Sequence, residues 1–486
     1  MSFIHHKLAL TQGLLLVLTA FLVRSATFYF YVQHNERYCQ ADSPDYHICT
    51  LCMHNGFGMF RPDLQRPIFW RTPGYPWYLQ QFYKQHCITS TQFNAAQAAQ
   101  KSALWMQIML CSLLPLLLFW LAFILTHSYP VAWLTSLISL IHLGFVLAPC
   151  YLLTDGLAML FFVVFLIFYY RGFTLFYEKR NNNKLYNFIV AAFALALYTW
   201  MRPMGQFVAL IATLIVLGAH EKWRTKLIKS ALFLILFFAS IFPWFVRNYQ
   251  LTGKWFFCPL FGLYFNVFNA PKILARAENI PLKEAHRQLT QQAGVHTAHV
   301  KQEYQQMGKK QYVCGEMVCL ETAWPLIKAH PWYFMYDWCV EVCKTTFDLY
   351  ASQLVAFAKN CFKWDPLVEY LPEKIADCLY QAPLNWFMRF IAWLEFIFSL
   401  IVWAGIFGGV CHFLLKPLFS RKYHWSSKTA LWLKTGILIG CVVFQTGGFG
   451  YARLRLPIEP LMIILGITFW WWVFYEHKQL KHPKII

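Results

Sequence analysis

Hydrophobic and polar residues alternate along this chain in blocks, not singly. Ten apolar runs occupy 8–31, 101–126, 130–149, 151–170, 185–201, 203–219, 227–246, 386–415, 429–446 and 457–475. Most approach the roughly 20 residues that a helix needs to cross a hydrocarbon layer. Two long stretches, 32–100 and 247–385, are too polar to span. The pattern predicts an all-α polytopic membrane protein with about ten transmembrane helices. It divides into an N-terminal membrane module over 1–246 (loop 32–100 included), a loop region over 247–385, and C-terminal helices over 386–486. The first run continues through Tyr29–Val32 with no small-residue cleavage pattern, so it is expected to be retained as a span and not removed as a signal.

The short loops then sort by charge. If the spans alternate, Lys7, the Arg171–Lys184 segment, Lys222 to Lys226, Lys416 to Lys428 and Lys478 to Lys484 all fall on one side. By the positive-inside rule that side is the cytoplasm, which holds both termini and leaves 32–100 and 247–385 outside. Composition agrees: of 486 residues, 58% are hydrophobic and only 13% charged, too apolar for a soluble domain. A net charge of +20 would suggest nucleic acid in a soluble protein. Here it flanks spans, so no nucleic-acid partner is expected.

Eleven of the 15 cysteines lie in the outer segments: Cys39, Cys49, Cys52, Cys87, Cys258, Cys314, Cys319, Cys339, Cys343, Cys361 and Cys378. An oxidising compartment would permit disulfides, and an odd count leaves at least one thiol over, but the pairing is not legible. His47, Cys49, Cys52 and His54 are metal-binding types at tighter spacing than usual zinc sites. A polar loop accounts for them as well, and no metal is expected.

The chemistry sits at the outer ends of the spans. Asp42, in Ala41-Asp42-Ser43-Pro44-Asp45-Tyr46, directly follows the first span. A carboxylate there suits a general base, although Asp-Ser-Pro-Asp also suits a helix start. Arg71 lies in the same loop, before Thr72-Pro73-Gly74-Tyr75-Pro76; Arg202 precedes Pro203 in a tight outer turn; Arg247 ends the seventh span; Arg453 and Arg455 precede the last. A single such arginine is most simply an anchor to lipid headgroups. Five on one face fit a shared anionic ligand at membrane depth, because guanidinium binds phosphate through paired hydrogen bonds and stays charged in apolar surroundings. Asp155, opening the fourth span, suits either pairing with an arginine or contacting substrate. No glycine-rich phosphate loop follows a strand, so a nucleotide fold lacks support.

The ordered set Asp42-Ser43-x-x-Tyr46, Arg71-Thr72-Pro73-Gly74-Tyr75-Pro76, Thr154-Asp155, Arg202-Pro203, Pro243-Trp244-x-x-Arg247-Asn248 and Arg453-x-Arg455-Leu456-Pro457-Ile458-x-Pro460 resembles the GT-C membrane glycosyltransferases. The likeness is to the branch holding lipid A aminoarabinose transferase and the protein O-mannosyltransferases, and covers about 8–260 and 429–475. It implies a GT-C fold and a donor sugar on dolichyl or undecaprenyl phosphate. It also implies inverting transfer to an extracytoplasmic glycolipid, polysaccharide or protein, with Asp42 as the base. Asp45 is the rival base in the same loop. Arg71, Arg202, Arg247, Arg453 and Arg455 would hold the donor phosphate, with Asp155 and Tyr46 on the substrate. Members of this branch need no divalent metal, so the resemblance implies no cofactor. A bacterial cytoplasmic membrane with a periplasmic site is expected. The rival readings are a transporter or lipid flippase, and a non-catalytic scaffold.

Overall fold

The computed structural model describes residues 2–33, 38–40, 42–85, 96–173, 184–219, 222–308, 311–352, 379–380, 386–416, 427–446 and 451–476. Each apolar run becomes a helix or a helix pair. The first is α1 (Ser2–Thr27), continued by a wide π turn to Val32. Its Leu14, Leu15, Leu18 and Leu22 face outward, as they would toward lipid. Next come α4 (Gln97–Cys111) and α5 (Leu114–Thr126), which together form one apolar rod of 30 residues. The third run breaks at His142 into α6 (Tyr129–Ile141) and α7 (Leu143–Leu147), bent by 60°.

Then follow α8 (Asp155–Phe173), α9 (Lys184–Met201), α10 (Gly205–Leu217) and the 30-residue α11 (Trp223–Thr252). Gly253, at φ 73°, stops α11 by turning its N–H onto the Tyr249 carbonyl. The C-terminal set is α17 (Trp386–Gly409), α18 (Ser427–Phe444), the single turn α19 (Ala452–Arg455) and α20 (Glu459–Trp471). Among the described residues five helices are long and apolar enough to cross a membrane, six if the bent pair counts as one span, and four further apolar helices are shorter. The chain is thus an all-α, multi-pass membrane protein.

The polar segments fold as well. Between the first and second spans lie α2 (Ser43–His54), a two-stranded antiparallel ribbon of β1 (Phe60–Arg61) and β2 (Arg66–Pro67), and α3 (Gly74–Gln85). Beyond α11 come α12 (Leu260–Tyr264), α13 (Ala270–Glu278), α14 (Leu282–Gln306), α15 (Gly315–Ala329) and α16 (Pro331–Phe347). Of these, α13, α14 and α15 share a small core of Ala270, Ile273, Leu289, Ala323 and Ile327.

A buried charged network ties the loop region to the membrane helices. Arg455 Nε donates to Glu459 Oε2 at 2.6 Å, and its Nη1 donates to the carbonyls of Thr345, Thr346 and Asp348 at 3.1, 3.0 and 2.6 Å. Glu459 also meets His142 Nε2 at 3.4 Å and accepts from Tyr350 Oη at 3.2 Å. Glu395 on α17 accepts the backbone N–H groups of Tyr350 and Ala351 at 2.6 and 2.9 Å. The end of α16 is thereby held between α17 and α20.

Helix α17 crosses α20 at a glycine contact. A Cβ on Gly405 would stand 2.7 Å from the Gly466 carbonyl oxygen and 2.9 Å from its Cα, backbone atoms that cannot swing aside. Gly405→Val should therefore force the helices apart and cost about 1–3 kcal/mol. Thermal unfolding in detergent checks this; an unchanged midpoint would mean that the crossing relaxes freely.

Candidate active site at the outer helix ends

Short polar contacts draw four chain segments together. Ser43 Oγ accepts from the Gln40 N–H at 2.8 Å and donates to the Leu152 carbonyl at 3.0 Å, while the Leu152 N–H returns to the Tyr38 carbonyl at 2.8 Å. Gln107 Nε2 donates to the carbonyls of Pro149 and Tyr151, both at 3.0 Å. These bonds fix the Asp42 loop against the irregular segment that leads into Asp155. On the other side Thr72 Oγ1 donates to the Met201 carbonyl at 3.0 Å, joining the Arg71 loop to the Arg202 turn. Gly74 lies so close to Trp200 that a Cβ would meet its carbonyl oxygen at 2.5 Å.

Asp42 precedes α2, but its side chain caps nothing there. It points instead at two guanidiniums: Oδ1 accepts from Arg71 Nη2 at 2.7 Å, and Oδ2 from Arg453 Nη2 at 2.5 Å. Burial pushes its carboxyl up, but the charges of Arg453 and Arg71 and their hydrogen bonds outweigh this and hold it below the usual carboxylate range. Arg71 also donates to Asp45 from Nε and Nη2, at 3.2 and 2.8 Å, and lies over the Tyr46 ring at 5.2 Å. Burial in turn pushes the Tyr46 hydroxyl up to about 12, so it stays a donor. Asp155, in the first turn of α8 where an acid suits the helix dipole, pairs with Arg202. Arg202 Nε reaches Thr154 Oγ1 at 3.4 Å, and its buried Nη1 has no hydrogen-bond partner among the described residues.

These groups surround one cavity of ≈ 930 Å³, measured with its open mouth. Asp42, Tyr46, Arg71, Asp155, Arg202 and Arg453 all line it. Charge occupies one wall; Leu260, Phe261 and Tyr264 of α12 form an apolar side, with Cys258 beside them. Burial pushes the Cys258 thiol up to about 12, which leaves it inert. Asp45 is absent from the lining and turns its carboxylate to the back of Arg71.

The architecture can be compared with solved structures. Archaeal oligosaccharyltransferase AglB from Archaeoglobus fulgidus, in complex with an inhibitory peptide and a dolichol-phosphate, superposes with a TM-score of 0.53 at 12% identity. The alignment covers 97% of this chain and 51% of that one. The apo form of the same archaeal oligosaccharyltransferase gives 0.52 at 11% identity, over 97% and 52%. The chain therefore spans about half the length of these proteins. The fold is of the GT-C type. ArnT from Cupriavidus metallidurans bound to undecaprenyl phosphate matches over 92% of this chain and 77% of that one, at 14% identity and a TM-score of 0.34. No family model matches the sequence, and no curated protein does.

Within this GT-C fold two of the five arginines lie away from the cavity. Arg247 donates to the carbonyls of Ile68 and Met59 at 3.3 and 2.6 Å and lies over the rings of Trp244 and Phe69. It braces the β1–β2 ribbon from behind. Arg455 belongs to the Glu459 network and is wholly buried. The four metal-like residues of α2 do not converge: His47 Nδ1 meets Tyr83 Oη at 2.7 Å, and among the described residues no group of three His, Cys, Asp or Glu is placed to hold a metal ion. Cys49, Cys52, Cys258, Cys314, Cys319, Cys339 and Cys343 are unpaired thiols; Cys87, Cys361 and Cys378 lie outside the described residues. Sequence reasoning named Thr154 only as part of the Thr154-Asp155 motif, and missed Gln445 and Thr446 on the wall, which carry no charge to mark them, and the buried acids Glu395 and Glu459.

Proposed function

We propose that this chain is an integral-membrane glycosyltransferase that moves a sugar from a polyprenyl-phosphate donor to an extracytoplasmic acceptor. The convergence of Asp42, Arg71, Arg453, Asp155 and Arg202 on one cavity carries this reading. The GT-C fold supports it, since the oligosaccharyltransferase that shares the fold was solved with a dolichol-phosphate. In our reading an acceptor hydroxyl oxygen attacks the anomeric carbon as the bond to the phosphate oxygen breaks. The lipid phosphate leaves from the opposite face, so configuration inverts. The acceptor proton passes to Asp42. The acceptor is a glycolipid, a polysaccharide or a protein.

Arg71, Arg202 and Arg453 would take the phosphate, because they line the cavity and Arg202 Nη1 is uncommitted. Arg247 and Arg455 already spend their donors on backbone and on Glu459, so we give them a supporting part. Tyr46 and Asp155 would orient the sugar or the acceptor. While it is paired with Arg71 and Arg453, Asp42 is a weak base, held down by two guanidiniums. A phosphate that draws Arg71 and Arg453 to itself would raise the proton affinity of Asp42 at the step that needs it. By charge, the site faces away from the cytoplasm, in the manner of a bacterial inner-membrane enzyme with both termini inside.

Mass spectrometry of envelope glycolipids and glycoproteins, from cells with and without the gene, tests the reading. A single-sugar mass that appears only with the protein supports it; identical profiles at normal expression would defeat it. We further expect transfer to persist in EDTA, because each carboxylate in the cavity is already neutralised by an arginine. Activity lost to the chelator and restored by a divalent cation would refute that expectation.

A further inference from the structure

Helix α16 is built inside out for a water-facing element. Its charged residues Asp337, Glu341 and Lys344 are 2%, 3% and 7% exposed: Asp337 and Glu341 turn inward to Arg276 and Lys272 of α13, and Lys344 pairs with Glu341. Its outer face carries Trp332, Tyr333, Met335, Tyr336, Cys339 and Cys343, with Trp332 84% and Tyr336 60% exposed. Positions 332, 336, 339 and 343 follow the four-three-four spacing of a single helical stripe. Against water this arrangement would be doubly unfavourable, with charges desolvated and aromatic rings wetted. Helix α14 of the same loop region has the opposite character: Lys283, Arg287, Gln291, His299 and Lys301 point outward.

We propose that α16 lies in the plane of the membrane, with its aromatic stripe in the boundary between headgroups and acyl chains. Continuity with a span supports lipid as the occupant. Trp338 packs against Phe444 at the end of α18, with ring centroids 5.4 Å apart, and Phe444 is itself exposed on a membrane helix. Trp and Tyr favour this depth because their rings combine an apolar body with a polar tip. The cation of Arg276 lies over Tyr336 at 4.8 Å, beside the stripe as a headgroup-facing residue would. The far end of α16 is clamped by Arg455, two residues from Arg453. The helix therefore sets the height of the cavity wall relative to the lipid surface. This inference does not depend on the reaction.

Native thiols make the test direct. Nitroxide labels are placed on Cys339 and Cys343 of the full chain in phosphatidylcholine–phosphatidylglycerol vesicles, and the spectrum of the Cys339→Ser/Cys343→Ser variant is subtracted. A Gln302→Cys label on the polar face of α14, in that double-serine background, gives the comparison. We expect oxygen to relax the α16 labels more than a water-soluble nickel chelate does, and the reverse at Gln302. Equal nickel access at both sites would place α16 in water. Exclusion of both reagents from α16 would mean that protein, such as a second copy of the chain, covers the stripe. Either result overturns the proposal.

Discussion

Replacing Asp42 with asparagine should slow sugar transfer by roughly 10²–10⁴-fold, the usual worth of general-base assistance. The variant keeps the shape of the side chain, and its amide oxygen can still accept from Arg453 or Arg71. Arg71 also retains Asp45 at 2.8 Å, so the loop keeps an ion pair. Loss of rate with normal insertion, normal monodispersity and near-normal donor affinity is the expected pattern. Asp45→Asn provides the contrast. Asp45 binds the outer side of Arg71 and does not line the cavity, so its replacement should leave the rate within a few-fold of wild type. An Asp42→Asn enzyme that turns over at the wild-type rate would remove the base from the mechanism; a slow Asp45→Asn enzyme would move it by one helical turn.

Much of the membrane architecture was legible because a bilayer writes its demand directly into hydropathy. Each of the ten apolar runs is a helix or a helix pair, including the 13-residue α10 and the bent pair at His142. That Asp42, Arg71, Asp155, Arg202 and Arg453 would lie near one another was also readable, since all five fall at the outer ends of apolar runs, on one face of the membrane. Which arginines face the cavity was not. Residues two apart on a helix point about 200° apart, so Arg453 and Arg455 serve opposite sides of one turn, and no feature of Arg-Leu-Arg says which side is which. Arg247 illustrates the same limit: its partners are carbonyls of the β1–β2 region, 179 and 188 residues earlier in the chain. The burial of the α16 charges depends on α13 as a partner, which periodicity alone does not supply.

Arg455 should matter for folding where Arg453 matters for transfer. Replacing Arg455 with alanine leaves Glu459 buried and facing His142 and Tyr350, and frees three backbone carbonyls at the end of α16. Breaking one side of a buried pair costs about 3–5 kcal/mol, enough to lower the unfolding midpoint in detergent by several degrees. Arg453→Ala removes a contact at the cavity edge, where Asp42 keeps Arg71 as a partner, so stability should fall less and donor affinity more. The double variant Arg455→Met/Glu459→Gln separates packing from charge: by removing both ions it should recover much of the stability lost in Arg455→Ala. If Arg455→Ala instead melts like wild type while losing affinity for the polyprenyl-phosphate donor, Arg455 reaches the phosphate in the working enzyme. The pairing with Glu459 would then be a resting arrangement that the donor displaces.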